Sequence, residues 1–122
     1  MTKTIFIAED NKINLKLVKD LLELKEYKIL EAYDGKEALE KIIQNHNLID
    51  LILMDIQMPV LNGIDAIKEL KNNVLTASIP IIVLSAYAME TDIKKAKEAG
   101  AEDYITKPLN ITEFLTKIQG KI

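Results

Sequence analysis

The sequence predicts an α/β fold, a doubly wound five-stranded parallel sheet with helices on both faces, built as five successive strand–helix units, (βα)5. Three observations carry the prediction. Short apolar runs alternate five times with longer amphipathic stretches, the pattern that favours a parallel sheet with helical crossovers. Two of the runs, Leu51-Ile52-Leu53-Met54 and Ile81-Ile82-Val83-Leu84, are apolar at every position, as strands covered on both faces are. The intervals between elements hold the turn residues Pro, Gly, Asn and Asp, with no linker, repeat or low-complexity segment.

Each element has its own signal. Thr4 to Ala8 is β-branched and apolar and stops at Glu9-Asp10-Asn11, a strand end followed by helix-start residues. Leu15, Val18, Leu21 and Leu22 then recur at helical spacing to about Lys25. Lys28 to Ala32 is the second strand, Asp34-Gly35 a turn, and Glu37 to Gln44 a helix with Ala38, Leu39, Ile42 and Ile43 on its apolar side. After the third strand, Pro59 and Asn62-Gly63 break the chain before a helix from about Ile64 to Lys71. Pro80 precedes the fourth strand, and a helix from about Glu90 to Ala99 stops at Gly100, a left-handed cap. Tyr104-Ile105-Thr106 is a short fifth strand, and Ile111 to Ile118 a last helix carrying Phe114, Leu115 and Ile118. The strand order expected is 2-1-3-4-5, the flavodoxin-like arrangement, by analogy with known folds of this alternation.

Composition sets the outer bounds. At 122 residues, 48% hydrophobic and 29% charged, the chain suits one globular domain with a sizeable core. There is no cysteine, which excludes disulfides and thiolate metal sites, and the single His46 cannot by itself form a zinc cluster. A net charge of −3 argues against nucleic acid or an anionic membrane as the partner. No apolar run approaches the ~20 residues of a membrane span, and the start from Met1 to Ile7 lacks the form of a secretory signal. The expectation is a soluble, cytoplasmic protein.

In doubly wound folds the chemistry lies beyond the carboxyl ends of the strands, near the switch point between strands 1 and 3. Here Glu9 and Asp10 follow strand 1, Asp55 strand 3, Ser85 strand 4 and Lys107 strand 5. Taken singly, an acidic pair after a strand is ordinary helix N-terminal charge. Ser85 alone reads as a cap, and Lys107-Pro108 as a loop. Asp55 after four apolar residues resists the bland reading, because a carboxylate beside a buried strand needs a partner. Four segments delivering polar groups to one edge form a constellation. Three carboxylates meeting there would repel one another, and a hard divalent cation removes that penalty. Mg²⁺ suits it, with Mn²⁺ as the alternative, held by Asp10, Asp55 and the backbone carbonyl of Gln57, with Glu9 binding directly or through a water. Asp55 would be the nucleophile toward phosphorus, with Lys107 and the Ser85 hydroxyl pairing with phosphoryl oxygens.

At these residues the chain resembles the response-regulator receiver family of two-component and phosphorelay signalling, over essentially its whole length. The carrying motifs are Ile7-Ala8-Glu9-Asp10-Asn11, Leu51 to Pro59 with Asn62-Gly63, Pro80 to Ala86, and Tyr104-Ile105-Thr106-Lys107-Pro108-Leu109. The resemblance implies one receiver domain over 1–122, a signalling phosphoacceptor rather than an enzyme acting on other substrates. Asp55 would be its phosphorylation site, Glu9 and Asp10 its metal pair, and Lys107 its phosphoryl-pairing lysine. It also implies a switch made of Ser85 and Tyr104, in which Tyr104 rotates inward on phosphorylation, and a cis peptide between Lys107 and Pro108. The donor would be a histidine kinase or a histidine phosphotransfer protein, docked on the exposed side of the first helix (roughly Asn14 to Lys25). The output would be a protein target on the face made by the fourth helix, fifth strand and fifth helix. The segments Glu9 to Asn14 and Ala86-Tyr87-Ala88-Met89 look most like stand-alone receivers of the DivK type and receivers of hybrid histidine kinases.

Rival classes meet specific obstacles. A flavin carrier of this topology needs a phosphate loop after strand 1, where Glu9-Asp10 would repel the flavin phosphate. A haloacid-dehalogenase-type phosphatase wants a second Asp two residues after the nucleophile, where Gln57 stands. The Gly-x-x-x-x-Gly-Lys loop of nucleotide hydrolases is absent. The alternatives that stay open are a receiver detached from a hybrid histidine kinase and a pseudo-receiver that binds partners without being phosphorylated.

Overall fold

The computed structural model describes residues 2–86 and 89–122. Five strands, β1 (Thr4–Ala8), β2 (Lys28–Ala32), β3 (Leu51–Met54), β4 (Ile81–Ser85) and β5 (Asp103–Thr106), alternate with five helices. These are α1 (Lys12–Leu24), α2 (Gly35–Gln44), α3 (Gly63–Lys71), α4 (Glu90–Ala99) and α5 (Ile111–Lys121). All strand pairs are parallel, and the order is β2-β1-β3-β4-β5. Of the motif at 86–89, Tyr87 and Ala88 lie outside the described residues.

The continuous apolar runs become the central strands because both of their faces are covered. One layer packs Phe6, Ile52, Met54 and Val83 against Ala38, Ile42, Ile67 and Leu70 of α2 and α3, with Ala96 of α4. The other packs Ile5, Ile7, Leu53 and Leu84 against Leu15, Val18 and Leu22 of α1 and Phe114 and Ile118 of α5. At about 1.5–3 kcal/mol per fully buried large aliphatic side chain, these two layers dominate the stability of the fold. They hold the strand ends rigidly.

Helix starts differ from the sequence expectation in one consistent way. Asp34-Gly35, expected as a turn, is the start of α2: the Asp34 side chain accepts from the Glu37 N–H at 2.7 Å, and the helix begins at Gly35. Asn62 does the same for α3, accepting from the Asp65 N–H, so that helix begins at Gly63. Asp and Asn serve turns and N-caps by the same side-chain-to-backbone bond, so the local pattern alone does not separate them. Gly100 ends α4 with φ 124°, in the region a side chain rarely adopts.

Candidate functional site

Backbone pairing continues one residue past the strand ends, and this fixes the polar groups there. The Glu9 N–H donates to Ala32 O at 3.0 Å, the Asp55 N–H to Ala8 O at 3.0 Å, and the Lys107 N–H to Ser85 O at 2.8 Å. Glu9, Asp10, Asn11, Asn14, Asp55, Gln57, Ser85, Ala86 and Lys107 line one cleft of about 220 Å³ at this edge. A cleft that small has room for a group the size of a small oxyanion and a hydrated ion; it is below the usual range for drug-sized ligands.

The loop after β3 is held from behind. The Gln57 N–H donates to Asp55 Oδ1 at 3.1 Å, and the Gly63 N–H to Ile56 O at 2.8 Å. Between them the Leu61 N–H donates to Pro59 O at 2.8 Å across Val60, whose φ is 71°, a tight and strained reversal for a β-branched residue. The Lys107–Pro108 peptide bond is cis.

Charges in the cleft are closely coupled. Glu9, Asp55 and Ser85 are buried, whereas Asp10 and Gln57 are exposed. The Lys107 ammonium donates to Glu9 Oε1 and, at 3.1 Å, to Asp55 Oδ2. Burial, followed by the neighbouring Asp55, pushes the Glu9 carboxyl up to about 7, against the lowering effect of Lys107. For Lys107, burial lowers the pKa, but the bond to Glu9 and the charges of Asp55 and Glu9 outweigh it and raise the group.

Tyr104 is buried in the core layer that α2, α3 and α4 cover. Burial raises its phenol pKa, opposed by a hydrogen bond with Ser85. The tyrosine thus occupies an inward position joined to Ser85.

One carboxylate oxygen from each of Glu9, Asp10 and Asp55 can be chosen so that all three lie within 4.8 Å of one another. The donors are all hard oxygens, and among the described residues lining the cleft the one cation is the Lys107 ammonium. That set fits a small divalent ion of the Mg²⁺ type. The candidate residues Glu9, Asp10, Asp55, Gln57, Ser85 and Lys107 therefore meet in one place, with Tyr104 joined through Ser85.

Residues 5–119 match the family model of the response regulator receiver domain. The chain belongs to the response regulator receiver family. The polar-differentiation response regulator DivK of Brucella ovis is 40% identical over 120 residues, covering 98% of this chain and 96% of that protein. The receiver domain of the sensor histidine kinase PA1611 from Pseudomonas aeruginosa PAO1 superposes with a TM-score of 0.90 at 30% identity, covering 99% of this chain and 98% of that one. It was solved with a magnesium ion coordinated in its active site cleft. CheY in the CheX-CheY-BeF3-Mg complex from Borrelia burgdorferi superposes with a TM-score of 0.90 at 25% identity, covering 97% of this chain and 87% of that one. Among the described residues of this receiver, no helix is long and apolar enough to cross a membrane.

Sequence reasoning gave no site role to Asn11, Asn14 or Gly63, which line or back the receiver cleft. Asn11 and Asn14 line it: Asn11 caps α1, its side chain accepting from the Ile13 and Asn14 N–H groups, and Asn14 stands in the first turn of that helix. Gly63 backs it: a Cβ there would stand 2.1 Å from Asp55 O. Only the tertiary approach of α3 to the end of β3 reveals it.

Proposed function

We propose that this receiver is a phosphoacceptor that takes a phosphoryl group onto Asp55 from a phosphohistidine of a histidine kinase or a histidine phosphotransfer protein. The observation that carries the reading is the meeting of Asp55 and Lys107 at 3.1 Å inside a cleft that also holds Glu9, Asp10 and Ser85. An Asp55 carboxylate oxygen attacks phosphorus, the phosphorus–nitrogen bond to the donor imidazole breaks, and the imidazole leaves with the electron pair. Lys107 moves from the Asp55 carboxylate to the incoming anionic oxygens, and the Ser85 hydroxyl donates to another. Asp10, Asp55 and the Gln57 backbone carbonyl would hold Mg²⁺, which when bound offsets the carboxylate repulsion and the added phosphoryl charge. The domain spans 1–122 and catalyses only its own phosphorylation and dephosphorylation.

The signal passes through packing. Ser85 drawn toward the phosphoryl group loosens its bond to Tyr104, and the buried ring shifts the balance between two arrangements of α4, β5 and α5. The outer surface of α4 carries Ile93 between Glu90, Lys94, Lys97 and Glu98, an apolar spot with a charged rim that suits a protein target.

The test is intact-protein mass after incubation with an acyl phosphate, with and without Mg²⁺, on wild type and Asp55→Asn. The expected result is an Mg²⁺-dependent gain of one phosphoryl group that the variant lacks. Folded, Mg²⁺-bound wild type that gains nothing would make the domain a pseudo-receiver acting by contact.

A further inference from the structure

The sheet ends on one side at β2, and an edge strand offers unpaired backbone groups to any further strand. Which groups those are follows from the ladder with β1. The Lys28 N–H donates to Lys3 O and Ala32 O accepts from the Glu9 N–H, so residues 28, 30 and 32 turn their backbone groups toward β1. Alternation then turns the groups of Ile29, Glu31 and Tyr33 outward. Two of them are taken by side chains of α2. The Lys41 ammonium donates to Glu31 O at 3.1 Å, and Glu37 Oε1 accepts from the Tyr33 N–H at 3.0 Å. In a parallel ladder, one residue of an incoming strand would donate to the first of these groups and accept from the second. Glu37 and Lys41 thus stand in for the backbone of a residue that would lie opposite Ala32.

An i, i+4 pair on a helix surface commonly serves the helix alone, and Glu37 in the first turn of α2 also suits the helix dipole. Those roles do not require Lys41 to reach off the helix onto a carbonyl of β2. The two side chains also meet each other at 3.5 Å, so each orients the other over the strand. We propose that Glu37 and Lys41 guard the β2 edge, keeping it from pairing with β2 of a second copy of this chain. The second copy is the occupant because the edge complements itself. Antiparallel pairing about a two-fold axis through Leu30 sets the half-buried Leu30 side chains of the two copies opposite each other. It also sets the Ile29 N–H of each copy against Glu31 O of the other, the acceptor that Lys41 covers. The guard does not depend on whether Asp55 takes a phosphoryl group.

Sedimentation velocity over a range of concentrations compares four proteins, each checked for folding by circular dichroism. They are wild type, Lys41→Met, the double variant Glu37→Lys with Lys41→Glu, and Lys36→Met. Lys36 is exposed on the same helix, so Lys36→Met makes the same change of charge and apolar surface without opening the edge. The double variant keeps the net charge and the ion pair but sets a carboxylate against Glu31 O and an ammonium against the Tyr33 N–H. Amide hydrogen exchange locates the contact. Lys41→Met and the double variant should dimerise at least about tenfold more tightly than wild type, the scale of one freed charge-assisted hydrogen-bonding position. Their Ile29 amide should exchange more slowly as concentration rises, while Lys36→Met behaves as wild type. Either edge variant that folds is sufficient. The proposal is overturned if a folded edge variant stays as monomeric as wild type, or if Lys36→Met associates as strongly as Lys41→Met. Dimers that leave Ile29 exchange unchanged overturn it too. Dilute wild type supplies a check that needs no variant: Tyr33, held by Glu37, should exchange more slowly than the outward-facing Ile29, and equal rates would sink the guard.

Discussion

Gly63 lies directly behind Asp55: a Cβ at Gly63 would stand 2.1 Å from the Asp55 carbonyl oxygen and 2.9 Å from its carbonyl carbon. Both obstacles are backbone, and that backbone is held by the Asp55 N–H bond to Ala8 O. Gly63→Ala should therefore destabilise by about 1–3 kcal/mol, the cost of overpacking, and displace Asp55 from Lys107. Urea unfolding measures the first effect and the rate of phosphoryl gain the second. A neutral substitution would mean that the loop after β3 slides freely.

Removing the lysine exposes the repulsion that it masks. In Lys107→Met, Glu9 and Asp55 lose the cation they share, and breaking such a pair costs up to about 3 kcal/mol in metal-free protein. Mg²⁺ should restore more stability to this variant than to wild type, because the ion then supplies the missing charge. Thermal unfolding with EDTA and with Mg²⁺ checks this, and equal Mg²⁺ increments would contradict it.

The Glu9 carboxyl makes metal-free stability depend on pH in a defined direction. Its folded-state pKa of about 7 lies above the ordinary 4.5, so between these values the folded state binds more protons than the unfolded one. The stabilising contribution is complete below about 4.5 and is lost as pH rises through about 7. Relative to Glu9→Gln, metal-free wild type should lose stability from pH 5 to pH 8, approximately the span of that titration. Denaturant midpoints in EDTA at several pH values measure it; a flat difference would place Glu9 in a solvated setting.

Far from the cleft, Thr76 is fully buried and its hydroxyl donates to Leu70 O at 2.6 Å, closing the end of α3. Thr76→Val removes that donor without changing the shape of the side chain, at a cost of about 1–2 kcal/mol. Phosphoryl gain measured well below the unfolding temperature should stay at the wild-type rate. A slowed rate would reveal a coupling between the two ends of the sheet.

What could be read from the chain divides along physical lines. All five strands and five helices were legible, because each apolar run or helical stripe reflects burial on its own element. So were Glu9, Asp10, Asp55, Ser85 and Lys107, since strand ends of a parallel sheet share one edge. The Glu9–Lys107 pair was not, because it joins residues 98 apart in the chain and crosses three strand gaps. Gly35 was read as a turn residue, and Gly63 as a chain break and part of the family motif, neither for its packing. Their closeness to Leu61 O and Asp55 O belongs to the packing of α2 and α3 around the loop after β3. The inward placement of Tyr104 likewise depends on the space left under α4, which no local pattern encodes.

The central sheet separates two apolar layers, one under α2, α3 and α4 and one under α1 and α5. The sheet backbone stands between the two sets of side chains, so substitutions well apart in the two layers should change stability nearly additively. That makes the molecule a pair of separately editable packing layers on one shared sheet. The packing under α1 and α5 can change while that under α2, α3 and α4 stays as it is.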